Sequence, residues 1–202
     1  TVIKQLGDEL FEALQSSTSL APLTERYPDI TIEQAYQISL QFLQRREAAG
    51  QKLIGKKIGV TSKAVQDMLN VHQPDFGFLT DAMQVADGSA VSKAEHCLVQ
   101  PRAEGEIAFI LKADLNGPGI TASDVLAATE YVVPCFEIVD SRIRDWKSCV
   151  RLKRTGGSNP LLCATKNESS NGCSHFLFCT ENRRGFEGGS RFARAKRFAN
   201  GG

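Results

Sequence analysis

The sequence lacks the features that mark membrane proteins and the common nucleotide-binding folds. No segment of its 202 residues approaches the roughly 18 consecutive apolar residues that a membrane span needs. The first residues show no basic flank followed by an apolar core, so we expect no signal peptide and a cytoplasmic protein. Neither G-x-G-x-x-G nor G-x-x-x-x-G-K-[ST] occurs, which leaves phosphate binding through those glycine-rich loops unsupported.

The histidine and cysteine patterns that bind zinc are also absent. His72, His96 and His175 show neither H-x-x-x-H nor H-E-x-x-H spacing, and the six cysteines include no C-x-x-C pair. We therefore expect the histidines to form local hydrogen bonds. Cys97 and Cys135 lie in apolar runs, so we expect buried thiols at both positions.

The net charge of the chain is only +1, but the balance of charges changes along the sequence. Residues 1–148 hold 14 Lys and Arg against 20 Asp and Glu, whereas residues 149–202 hold 10 against 3. We expect an N-terminal helical region (1–50), a β-rich core (51–147) and a basic tail (148–202) rich in Gly, Ser and Cys. The arginines and interleaved phenylalanines of the tail could bind nucleic acid. Its few aliphatic residues favour a poorly ordered segment instead, and we expect neither a nucleic acid nor a membrane as partner.

Helical periodicity and turn residues predict an α+β protein. Apolar residues recur at helical spacing in the first 14 residues, and Thr31 with Gln34 has the form of a capping box that begins a second helix. Short strands are expected downstream, including two around Val91 and Leu98. Because no regular βαβ alternation is present, we expect a mixed, mainly antiparallel sheet that follows the N-terminal helices.

Three glutamates in two apolar runs are the strongest chemical signal in the sequence. Glu104 and Glu106 are two residues apart in a predicted strand, so their side chains point the same way, and Glu137 interrupts a second predicted strand. Clustered carboxylates in half-buried strands repel one another, and an oxygen-only ligand set favours Mg²⁺ or Mn²⁺ over zinc. The alternative is that one acid faces solvent while the others pair with Arg102 or Arg142.

Two lysines and an arginine are candidates for binding an anionic substrate near these acids. Lys56 and Lys57 are adjacent in a predicted strand and face opposite ways, so at most one enters a site on this strand. We prefer Lys57, although periodicity does not decide between the two. Arg142 is a further anion-binding candidate, and an ion pair with Asp140 or with a glutamate is the structural alternative.

Four segments together closely resemble the 2-oxopent-4-enoate hydratases, also called 2-hydroxypenta-2,4-dienoate hydratases. This family lies in the hydratase/decarboxylase branch of the fumarylacetoacetate hydrolase superfamily. The resemblance covers about residues 1–147. The segments are GKKIGVTS (55–62), HQPDFGFL (72–79), QPRAEGEIAF (100–109) and VPCFEIVDSR (133–142).

The resemblance implies the fold of that superfamily and the hydration of 2-hydroxypenta-2,4-dienoate to 4-hydroxy-2-oxopentanoate in meta-cleavage degradation of aromatic compounds. It places Glu104, Glu106 and Glu137 on the three metal ligands and Lys57 near the substrate. Lys57, Asp75 and a metal-bound water are the candidates for proton transfer, with turn stabilisation as the alternative for Asp75. Ser62 either contacts substrate or caps the following helix.

The resemblance also bears on partners and on rival functions. We expect a homo-oligomer and consider a complex with the decarboxylase of the same pathway. The rival functions are the related 2-oxo-3-hexenedioate (4-oxalocrotonate) decarboxylase and a catalytically inactive variant that acts only as an assembly partner.

Beyond Lys147 the sequence no longer resembles the family. We therefore expect a fold that is incomplete at the C-terminus, and we hypothesise an altered C-terminal sequence, such as a frameshifted one.

Overall fold

Helices come first along the chain and strands follow. The computed structural model describes residues 1–69 and 71–146 and the backbone of residues 173–179. Its helices are α1 (Val2–Gln15), α2 (Leu23–Arg26), α3 (Ile32–Ala48), α4 (Lys63–Leu69) and α5 (Ala122–Ala128), with short 3₁₀ turns at Asp81–Met83 and Arg144–Trp146. Its strands are β1 (Leu53–Gly59), β2 (Asp75–Thr80), β3 (Gln84–Val85), β4 (Arg102–Leu111), β5 (Thr129–Ser141) and β6 (Cys173–Cys179). The predicted α+β class agrees with this order.

The helices α1 and α3 pack together as an amphipathic pair. Leu6, Leu10 and Leu14 on one face of α1 are buried, as their helical spacing predicts. The capping box is confirmed, because the Thr31 side chain accepts from Gln34 N while the Gln34 side chain accepts from Thr31 N. Together with apolar residues of α2 and α3, these leucines form the largest apolar cluster among the described residues.

The strands form two separate sheets within the described part of the chain. β1 and β2 pair antiparallel. The second sheet has the order β3-β6-β5-β4, in which β3 and β6 are parallel and the other pairs antiparallel. The predicted mixed, mainly antiparallel sheet is therefore present. β6 belongs to the basic tail, and the rest of the tail lies outside the described residues, so its expected poor order stays a prediction.

The predicted strands around Val91 and Leu98 are wrong, because residues 91–100 form turns. Leu98 is buried as expected of a strand residue, but it packs in an apolar cluster with Leu79, Met83 and Val85. The backbone N–H groups that follow it donate to the carboxylate of Asp140 rather than to a neighbouring strand. The prediction of a strand here therefore rested on an apolar residue, Leu98, that is buried although it lies outside any strand.

The end of β5 connects the sheet to the helices. Leu20 N donates to Arg142 O at 2.7 Å, and Arg144 N donates back to Leu20 O at 2.8 Å. Ile143 between them is buried in the helical cluster. None of the helices in the described residues combines the length and the apolar character that a membrane crossing requires.

Candidate metal centre

Strand pairing brings the three predicted acidic residues together. In the β4–β5 ladder Glu104 lies directly opposite Glu137, so their side chains point to the same face of the sheet. Glu106 shares that face because it is two residues beyond Glu104. One carboxylate oxygen from each residue lies within 4.8 Å of the others. The three side chains thus converge on one point.

Burial makes this cluster electrostatically unfavourable without a counter-charge. Glu137 is only 3% exposed, whereas Glu104 is half-buried and Glu106 is exposed. Loss of hydration raises the pKa of Glu104 and of Glu106 above the ordinary glutamate value, and the negative charge of Glu137 raises both further. Lys57 opposes these shifts. An oxygen-only cluster of this kind suits a hard divalent cation.

Lys57, rather than Lys56, faces the carboxylates. Lys57 Nζ lies 3.1 Å from Glu137 Oε1, and both side chains are more than nine-tenths buried. Lys56 points to the other face of β1, where its ammonium lies 5.5 Å from the ring centre of Phe76 and 5.6 Å from that of Phe78. The alternation of side chains along β1 therefore separates the roles of these two neighbours.

Asp75 lies next to this charged group. It is the first residue of β2 and pairs with Gly59 of β1. Loss of hydration raises the pKa of Asp75 to about 6, and the nearby positive charge of Lys57 limits the rise. Its carboxyl group is therefore closer to proton exchange at neutral pH than an ordinary aspartate.

Arg142 is not brought to the carboxylates. Its guanidinium is completely buried, with Nη1 2.7 Å from Asp140 Oδ2 and Nη2 donating to Cys97 O at 2.6 Å. Asp140 is three residues from Glu137, an odd separation that directs it to the opposite face of β5. The ion pair that we named as the structural alternative is therefore formed. Arg102 lies over the Trp146 ring, with Cζ 4.1 Å from the ring centre.

The other predicted residues are a serine, a histidine and two cysteines. Ser62 is exposed just before α4, and its carbonyl accepts from Gln66 N at 2.9 Å. His96 Nδ1 is 2.9 Å from Ser92 O, a local contact of the expected kind. Cys135 is buried and Cys97 half-buried, and neither is in a disulfide. Gly59 was not singled out as a site residue, although glycine inside a strand is a signal for close approach by other groups.

Comparison with known proteins relates the chain to enzymes that act on dienoates. No protein-family model matches it. It is 64% identical over 157 residues to the 2-hydroxyhexa-2,4-dienoate hydratase of Comamonas testosteroni. This alignment covers 78% of this chain and 59% of that enzyme. It is 62% identical over 159 residues to the 2-hydroxypent-2,4-dienoate hydratase of Pseudomonas putida, covering 79% and 70%. The chain thus spans three-fifths to seven-tenths of the length of these relatives.

Among solved structures, 4-oxalocrotonate decarboxylase from Pseudomonas putida G7 has a similar fold. A complex of that enzyme with magnesium and adipate has a TM-score of 0.72 at 30% identity, covering 88% of this chain and 61% of that one. A second structure of the same enzyme holds calcium and acetate.

Proposed function

The chain belongs to the family of 2-hydroxydienoate hydratases, and on that premise we propose that it hydrates 2-hydroxypenta-2,4-dienoate (2-oxopent-4-enoate) to 4-hydroxy-2-oxopentanoate. The reaction depends on a divalent cation and belongs to meta-cleavage degradation of aromatic compounds. The observation that carries the proposal is the convergence of Glu104, Glu106 and Glu137 on two paired strands, with Lys57 against Glu137.

The donor set fits Mg²⁺ or Mn²⁺. Glu104, Glu106 and Glu137 would hold the cation, since hard divalent cations prefer carboxylate oxygens. When bound, the cation supplies a Lewis acid that stabilises negative charge on the 2-oxo oxygen of the substrate. The solved decarboxylase holds magnesium in one structure and calcium in another, which supports a divalent cation in this family.

Lys57 and Asp75 provide two further polar groups of the site. We assign the Lys57 ammonium to the substrate carboxylate, because its Nζ lies 3.1 Å from Glu137 Oε1 of the acidic cluster. After ketonisation, water adds across the C3–C4 double bond, with its hydroxyl on C4 and a hydrogen on C3. Ketonisation itself moves a proton from the enol hydroxyl to the terminal carbon, C5, as the dienol becomes an α,β-unsaturated ketone. We assign this proton transfer to Asp75, whose pKa of about 6 suits exchange near neutral pH. Ser62 stays a predicted substrate contact, and we assign Arg142 a structural role.

Loss of dienol absorbance tests the proposal on the chain as it stands. We expect turnover of 2-hydroxypenta-2,4-dienoate with Mg²⁺ or Mn²⁺ and none after chelation of the metal. Replacing Glu106 with Gln should weaken Mg²⁺ binding by at least roughly 10–100-fold, the loss that even an outer-shell partner of a metal causes. Glu106→Gln suits this test because the side chain is exposed and folding depends on it little.

Glu130→Gln is the matched control, since Glu130 is an exposed glutamate of β5 outside the cluster. Its Mg²⁺ affinity should equal that of the unmodified chain in calorimetric titration. Equal affinity for Glu106→Gln would contradict the metal assignment. A folded, metal-binding chain without turnover would instead favour the inactive assembly partner.

The likeness to a solved 4-oxalocrotonate decarboxylase favours one alternative function. In that case the substrate is 2-oxo-3-hexenedioate, which carries a second carboxylate, and the product includes CO₂. Measurement of CO₂ release with each substrate separates the two reactions.

We also propose that the protein forms a homo-oligomer. A further proposed partner is the decarboxylase of the same pathway. Exposed apolar residues on the face of β4 and β5 away from the carboxylates support association. The cytoplasmic location expected from the sequence stays a prediction.

A further inference from the structure

Gly59 lies at the closest approach between β1 and the acidic residue of β2. It pairs with Asp75 across the β1–β2 ladder. A Cβ atom built at Gly59 would collide with Asp75 Oδ1 and would lie 3.5 Å from Lys57 Nζ. The hydrogen of Gly59 therefore leaves space that the Asp75 carboxylate occupies.

The need for glycine at this position is steric rather than conformational. Gly50, Gly88, Gly117 and Gly119 have positive φ angles, but Gly59 is not among the residues in that left-handed region. Any L-residue can therefore adopt its backbone conformation. A larger residue would displace Asp75 Oδ1, because the ladder fixes the backbones of both residues.

Two other strand glycines, Gly55 and Gly105, lack this constraint. A Cβ at Gly55, also in β1, would make an ordinary contact of 3.8 Å with Leu79 Cδ1. A Cβ at Gly105 in β4 would meet nothing within 4 Å. Among these three strand glycines, close packing against an ionisable side chain of the site is thus confined to Gly59.

Displacing the Asp75 carboxylate would alter a connected set of charges. Lys57 Nζ lies 3.1 Å from Glu137 Oε1, and the charges of both Lys57 and Glu137 act on Asp75. A shift of the Asp75 carboxylate would change its distance from the Lys57 ammonium. The three metal-ligand candidates lie on β4 and β5 and would stay in place.

We propose that Gly59 is a positioning residue. Because it has no side chain, the Asp75 carboxylate can occupy the space beside it, close to the Lys57 ammonium. This inference rests on the proposed function, in which Asp75 transfers a proton. Gly59 itself contacts neither substrate nor cation and acts only through Asp75.

Gly59→Ala should lower kcat by about 100-fold, since a displacement of about 1 Å has that effect on a catalytic group. KM should change by less than about threefold, and the Mg²⁺ affinity should be unchanged, because the carboxylates and Lys57 remain. Gly55→Ala is the matched control on the same strand and should keep the activity of the unmodified chain. Equal effects of the two alanines on kcat would overturn the proposal.

A double-mutant cycle gives a test that does not need activity. Gly59→Ala should reduce the ratio of folded to unfolded chain by roughly 5- to 100-fold in urea unfolding, as overpacking does. In an Asp75→Ala background the same change should have almost no effect, because the colliding oxygen is gone.

Equal loss of stability in both backgrounds would overturn the steric assignment, even if the chain hydrates no dienoate. If Gly59→Ala alone does not fold, recovery of folding in the double variant supports the proposal, and failure of both overturns it. The stability cycle thus separates failure of this inference from failure of the proposed function.

Discussion

At the level of single residues, Glu137 contacts one positive side chain and lies close to two negative ones. Its buried carboxylate pairs with Lys57 and also lies opposite Glu104 and beside Glu106. With all four side chains ionised, three carboxylates and one ammonium leave a net charge of −2. A divalent cation neutralises this charge, whereas a second lysine would only halve it. The charge of the cluster thus agrees with the chemistry of its donor atoms.

Asp75 provides a pH-dependent contribution to stability in the metal-free protein. Its pKa is raised from 3.8 to about 6 on folding, so between these values the folded chain binds more protons than the unfolded chain. Stability from this group is therefore fully present below about pH 4 and is lost as pH rises through about 6. The shift corresponds to at most about 3 kcal/mol. Asp75→Asn should abolish this part of the pH dependence.

Urea unfolding of the metal-free chain and of Asp75→Asn at pH 4, 5, 6 and 7 measures the effect. The difference in unfolding free energy between the two proteins isolates Asp75, since Glu104 and Glu106, whose pKa values are also raised, are present in both. A difference that is constant across this range would contradict the burial of an ionisable Asp75.

At the level of elements, alternation along strands was predictable and the register between them was not. The spacing of Glu104 and Glu106 determines that they share a face. Their meeting with Glu137 depends on the β4–β5 register, which a single sequence does not specify. The same alternation places Asp140, three residues from Glu137, on the opposite face, where it pairs with Arg142.

Close packing of α1 against α3 at Gly7 leads to a testable prediction about stability. A Cβ at Gly7 of α1 would collide with the Gln41 side chain of α3 and lie 3.0 Å from Ile38 O. Gly7→Ala should destabilise the fold by up to about 2 kcal/mol, because overpacking costs about 1–3 kcal/mol and alanine recovers only about 1 kcal/mol in helix propensity.

Thermal or urea unfolding followed by circular dichroism at 222 nm checks this prediction. Glu12→Ala is the control, since Glu12 is on the exposed face of α1. A Gly7→Ala chain that is more stable than the unmodified one would show that α1 and α3 can separate slightly without loss.

At the level of the whole molecule, one buried polar network joins the turns, the sheet and the helices. Asp140 accepts from Val99 N and Gln100 N and pairs with Arg142. The Gln100 side chain donates to the carbonyls of Ser141 and Ile143, next to the helical cluster. Residues 91–100 follow this network rather than their own strand propensity, so local sequence patterns could not predict their conformation.

The two faces of the β4–β5 ladder differ in chemistry, and this difference bears on association. Residues opposite the carboxylate face are 52% to 66% exposed although they are large and apolar: Ile107, Phe109, Val132 and Phe136. Contiguous exposed apolar surface of this kind favours contact between proteins. Because the carboxylates point to the other side, association through this face leaves them accessible.

We therefore predict that Ile107→Lys weakens self-association by at least roughly tenfold, because a charged side chain is placed where apolar surface would be buried. Sedimentation velocity across a range of protein concentrations measures the change. Glu130→Lys, at an exposed position of β5 that the β4–β5 register skips, is the control and should leave the distribution unaltered. Mg²⁺ affinity should be unchanged in both variants, since neither residue belongs to the carboxylate cluster. A monomeric unmodified chain, or an Ile107→Lys chain that associates as strongly as its parent, would show that this apolar face is not the contact surface.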